Sequence, residues 1–67
     1  MAELGEELRR ERVRRNLTFK DIEQVLHIKT TYLEAIEDGN YAVIPGRVYA
    51  KGFIRNYGNY LGLDGDR

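Results

Sequence analysis

The stretch Thr18–Asp38, TFKDIEQVLHIKTTYLEAIED, decides the fold. It holds two short segments with helical spacing and very little between them. Ile22, Val25 and Leu26 form an inward stripe in the first, and Tyr32, Leu33 and Ile36 form one in the second. Thr18 is a good N-cap, and Asp21 sits close to a capping-box position, where it also complements the helix dipole. Gly39 is a stop signal after Asp38. Only His27–Lys29 separates the two segments, which is the spacing of a helix-turn-helix. So tight a turn calls for a residue with positive φ, and His27 occupies that place; His is among the non-glycine residues enriched there. An ordinary αα-hairpin is the alternative.

Toward the N-terminus, a further helix is expected over Glu3–Arg15. Leu4 and Leu8 start its apolar stripe, the next stripe position is Arg12, and Asn16 suits a left-handed C-cap. Leu17, just before the Thr18 cap, can staple onto Ile22. Toward the C-terminus, Asn40–Ile44 reads as a loop, with Tyr41 and Ile44 plugging the core. Pro45 fits the first turn of a long helix expected over Pro45–Leu61, closed by Gly62. No period-2 alternation lasts long enough for a strand. The expected fold is all-α, a small helix-turn-helix bundle of four or five helices. Residues 1–63 form the domain, and Asp64–Arg67 read as the start of a linker or a chain boundary.

Composition narrows the function. With 67 residues there is room for one small domain. Such a domain buries only about 60% of its unfolded surface. It has no cysteine and a single histidine, so neither a disulfide nor a multi-histidine metal cage is available. Acidic and basic residues number 11 each, giving zero net charge, whereas DNA-binding modules are usually basic. No run approaches the roughly 18 apolar residues of a membrane span, and no signal peptide is visible. A soluble, intracellular piece is expected. His27 has no nucleophile in a recognisable motif beside it, and the glycines form no phosphate loop. Neither enzymatic activity nor a cofactor or metal is expected.

Two longer runs resemble a known family. Ile28 and Tyr32–Glu37 are followed by Gly39, Tyr41 and Ile44–Gly46; then come YAKGFIRNY at Tyr49–Tyr57 and YLGLD at Tyr60–Asp64. Together they are similar to the N-terminal domain of the RodZ family of bacterial cell-shape proteins, over nearly the whole chain. The resemblance implies a repressor-like helix-turn-helix fold on the cytoplasmic side of a single-span inner-membrane protein. It also implies the bacterial actin MreB as partner. Contact with the membrane would come only through other parts of the parent chain.

Individual residues then take candidate roles. Arg12 continues an inward stripe and needs a counter-charge; Glu37, beside Leu33 and Ile36, supplies it in a structural ion pair. The alternative is an Arg12 that snorkels past the core edge. On the last helix, Ala50, Ile54 and Leu61 share one arc, and Tyr49, Phe53, Tyr57 and Tyr60 an adjacent one. One small core can hardly use both arcs, so the aromatic arc is a candidate partner-binding surface, with Lys51 and Arg55 at its rim. Phe53 and Tyr57 have a competing reading as plain core. In the RodZ family an aromatic pair spaced i, i+4 on this helix belongs to the actin-binding surface, and the resemblance places that pair at Tyr49 and Phe53. Lys29, Thr30 and Thr31 are the candidate DNA contacts. Threonines and the following Glu34 and Ala35 read bases poorly, and Phe19 and Glu23 replace residues that DNA-binding relatives keep polar and small respectively. Five arginines crowd the first helix, balanced there by Glu3, Glu6, Glu7 and Glu11. Repressor-type DNA binding is therefore the second hypothesis, behind protein docking.

Overall fold

The computed structural model describes residues 2–63, and of Ala2, Glu3 and Arg47 the backbone alone. It is all-helical: α1 (Ala2–Arg14), α2 (Phe19–Leu26), α3 (Thr30–Asp38), a 3-10 turn (Tyr41–Val43) and α4 (Arg47–Tyr60). No strand occurs among the described residues. The expected linker at Asp64–Arg67 lies outside them.

Local chemistry sets each boundary. Thr18 caps α2 in a full capping box: the Asp21 N–H donates to the Thr18 hydroxyl at 3.1 Å, and the Thr18 N–H donates to the Asp21 carboxylate at 2.9 Å. Asn16 and His27 both take the left-handed conformation, with φ of 56° and 58°, and end α1 and α2. Gly39 at φ 74° ends α3, and the Asn40 N–H closes the cap on the Ala35 carbonyl at 2.9 Å.

The last helix starts later than expected. Gly46, at φ 85° and ψ 130°, holds a conformation that no helix continues through. It separates Pro45 from α4, so Pro45 is an exposed loop residue and Arg47 is the first helical one. The Gly46 carbonyl accepts the first bond of α4, from the Ala50 N–H at 3.1 Å.

The core consists of Leu8, Ile22, Ile28, Leu33, Ala35, Ile36, Ile44, Tyr57 and Leu61, so every helix contributes to it. Both α1 and α2 pack closely on α3, whereas α4 stands further off. Gly5 makes the α1–α3 approach as close as it is. A Cβ there would lie 2.2 Å from the Glu37 carbonyl oxygen. Val25 departs from expectation, being 54% exposed. On α2, Phe19, Ile22 and Leu26 span an arc of about 60°, and Val25 lies off its edge by a similar angle. Three residues suffice to seat this two-turn helix.

Candidate functional site

Two features stand apart from the apolar core, one buried and one exposed. The buried one is Glu37. Arg12 donates to its carboxylate through Nε at 2.7 Å and Nη2 at 3.2 Å. Arg9 adds Nε at 3.1 Å, and its Nη2 reaches Asp38 at 2.5 Å. The Tyr57 hydroxyl donates to Oε2, the same Glu37 oxygen that accepts from Arg12 Nε, while Oε1 takes Arg9 and Arg12 Nη2. Arg12 is 16% exposed and Arg9 47%, so Arg12 is the inner partner. Arg12 also donates to the Leu17 carbonyl at 3.0 Å and lies over the Phe19 ring at 4.2 Å. Burial and the neighbouring Glu37 push the Tyr57 hydroxyl well above the ordinary phenol range. The Glu37 hydrogen bond likewise raises Arg12. No buried side-chain polar atom among the described residues lacks a partner.

Tyr57 therefore corrects the surface role expected for it. It is fully buried, and its hydroxyl finds an acceptor inside, which is what lets the core of a 67-residue chain accommodate it. Arg9 is a second Glu37 partner that sequence reasoning does not single out among the five arginines; its i, i+3 relation to Arg12 is the signal that it can share Glu37.

The exposed feature is an aromatic strip running from α3 to α4. The Tyr32 and Phe53 rings stack at 5.9 Å, with 17° between their planes. Tyr49 follows at 6.3 Å from Phe53. Lys29 Nζ stands 6.0 Å from the Tyr32 ring at the other end. Tyr49 is 65% exposed, while Phe53 and Tyr32 are half-buried. Tyr49 also lies against Gly46, next to a cleft of about 290 Å³ lined by Tyr41, Ala42, Ile44, Gly46 and Ala50. Tyr32 is the member that sequence reasoning placed with the core. It lies at the edge of the α3 stripe, where an aromatic side chain can face both ways.

The other candidates fall elsewhere. Tyr60 is half-buried against the core. Lys51 and Arg55 are exposed, but at about 100° per residue they sit on the opposite flank of α4 from Tyr49 and Phe53. They do not rim the aromatic strip. On α3, the outward face is Thr31, Glu34 and Asp38, all exposed. The Thr30 N–H, at the helix N-terminus, donates to the Glu23 carboxylate at 3.2 Å. That carboxylate takes a position where a DNA phosphate would otherwise be received. Phe19, stacked under Arg12, is a packing residue. No group of His, Cys, Asp and Glu among the described residues could hold a metal ion.

The sequence profile of a helix-turn-helix domain family matches residues 7–67. The chain belongs to that helix-turn-helix family. A relative is the uncharacterized membrane protein YmfM of Bacillus subtilis (strain 168), 39% identical over 51 residues. The match covers 76% of this chain but only 18% of that protein. This helix-turn-helix domain thus spans under a fifth of the relative's length. None of its described helices is long and apolar enough to cross a membrane. No solved structure matches it.

Proposed function

We propose that this helix-turn-helix domain is a RodZ-like docking module rather than an enzyme, and that it binds the actin-like filament protein MreB. The observation that carries the reading is the Tyr32–Phe53–Tyr49 strip. Its rings are held against one another at the α3–α4 junction, so little conformational freedom is lost when a partner covers them. Aromatic anchors of this kind dominate protein interfaces. The membrane-protein relative fits a parent in which the domain is the cytoplasmic part of an anchored chain.

Family membership favours a second reading, binding of duplex DNA through α3 with Lys29, Thr30 and Thr31. The outward carboxylates of Glu34 and Asp38, and Glu23 at the α3 N-terminus, oppose phosphate approach. The deciding experiment sets co-sedimentation with MreB filaments beside gel shifts with mixed duplex DNA at low salt. Sedimentation with filaments and no shift is the expected result. A salt-resistant shift of a particular duplex, without filament binding, would transfer the function to DNA.

A further inference from the structure

Tyr49, Phe53 and Tyr57 form an i, i+4, i+8 ladder on α4, and over two turns it passes from solvent into the core. Tyr49 is largely exposed, Phe53 half-buried and Tyr57 fully buried. Each step rotates by about 40° around the helix, so the orientation of α4 fixes all three at once. The backbone does little to fix it, because α4 approaches the other helices less closely than α1 and α2 each approach α3. At the buried end, however, the Tyr57 hydroxyl is tied to Glu37, and Glu37 is itself clamped by Arg12 and Arg9. The carboxylate belongs to α3, the same helix that supplies Tyr32 to the strip.

From this geometry we infer that Tyr57 is a positioning residue for the docking strip: its bond to the clamped Glu37 sets the rotation of α4 at which Phe53 stacks on Tyr32 and Tyr49 is presented. The inference rests on the docking role proposed above. Tyr57 touches no partner and acts through Phe53. Apolar packing of Leu61, Ile54 and Ala50 holds α4 to the core but allows small rotations, since such contacts are not directional. The hydrogen bond is directional and fixes one of them. Arg12 serves this arrangement as well, by holding the acceptor still.

The test uses Tyr57→Phe, which keeps the ring and removes only the hydroxyl. A core variant, Ile22→Val, serves as a control for general loss of stability. The signature is the ring-proton chemical shift of Phe53, which reports its stack on Tyr32. Tyr57→Phe is expected to move these shifts toward unstacked values and to weaken filament docking about fivefold. Ile22→Val is expected to leave both near wild type. Unmoved Phe53 shifts in Tyr57→Phe would overturn the inference. Collapse of the whole fold in that variant would overturn it too, since the tie would then serve α1–α3 and not α4 alone. The docking reading fails separately if Tyr49→Ala sediments with filaments as well as wild type does; the Phe53 shifts still decide the role of Tyr57 in that case.

Discussion

Gly5 and Glu37 meet backbone to backbone where α1 crosses α3, leaving no space for a side chain at position 5. A Cβ at Gly5 would come within 2.2 Å of the Glu37 carbonyl oxygen and 2.7 Å of the Ile36 oxygen. Ala is ordinarily favoured over Gly in a helix by about 1 kcal/mol. Here the helices would have to separate, and overpacking of that kind costs about 1–3 kcal/mol. Gly5→Ala should therefore lower the melting temperature, against the helix-propensity trend. A variant as stable as wild type would mean that α1 can shift freely on α3.

Glu37 carries the next expectation. Its carboxylate is buried under Arg12, Arg9 and Tyr57. Removing it leaves Arg12 largely buried without a counter-charge, so Glu37→Ala should cost about 3 kcal/mol or more. Arg9→Ala should lose far less, because Arg9 is half exposed and Arg12 still neutralises the carboxylate. Urea unfolding of the two variants checks the ranking, and equal losses would contradict it.

Much of this fold was legible in the chain, for physical reasons that particular residues show. Thr18, Asp21, His27 and Gly39 act through local backbone chemistry, which sequence displays directly. Arg12 and Glu37 were legible as a pair because a charge on an apolar stripe demands a partner. The start of α4 was not legible from Pro45, because the positive φ that Gly46 adopts separates the two. Phe53 and Tyr57 could not be sorted from the helical wheel alone. Their fates depend on what α3 offers across the gap, an aromatic ring in one case and a carboxylate in the other. The aromatic strip crosses two helices, so no single periodicity contains it.

Stability should fall on both sides of neutrality, through different groups. Tyr57 is held protonated in the folded state by burial and Glu37, so its value is raised above the ordinary 10. Its contribution is complete below pH 10 and declines as the pH rises past that point, because the unfolded chain then gives up a proton the folded one keeps. The slope is about 1.4 kcal/mol per pH unit for one proton. On the acid side, Arg14 and then Arg15 lower Glu11 to about 2 from 4.5. Its contribution is present above pH 4.5 and disappears as the pH falls toward 2. Denaturation midpoints measured across pH 8–12 should drop less steeply in Tyr57→Phe than in wild type. Parallel curves would show that Tyr57 does not govern the alkaline limb.

The DNA reading makes its own demand. If the Thr30 and Thr31 side chains contact no partner, replacing both by alanine should leave stability and filament binding nearly unchanged, since the Thr30 N–H still reaches Glu23. Glu34→Lys should instead create weak, non-specific DNA binding, because it removes an outward carboxylate and adds a cation. That binding should vanish as salt rises from about 50 to 200 mM. A wild-type shift that survives at the higher salt and is lost with the two threonines would favour the repressor-type function.

Tyr49 and Phe53 should separate binding from folding. Both belong to the strip, but Tyr49 is 65% exposed, whereas Phe53 is stacked on Tyr32 and packed against the core. Truncating an aromatic anchor at the centre of an interface costs about 2 kcal/mol or more of binding. Tyr49→Ala should show that loss in filament co-sedimentation while its melting curve stays within about 0.5 kcal/mol of wild type, as exposed substitutions usually do. Phe53→Ala should lose binding and also stability, by about 2 kcal/mol, since half of its ring leaves packed surroundings. Lys51→Ala, on the other flank of α4, should change neither. If Tyr49→Ala binds normally while Lys51→Ala does not, the partner approaches α4 from its basic side, and the aromatic strip serves only to hold α3 and α4 together.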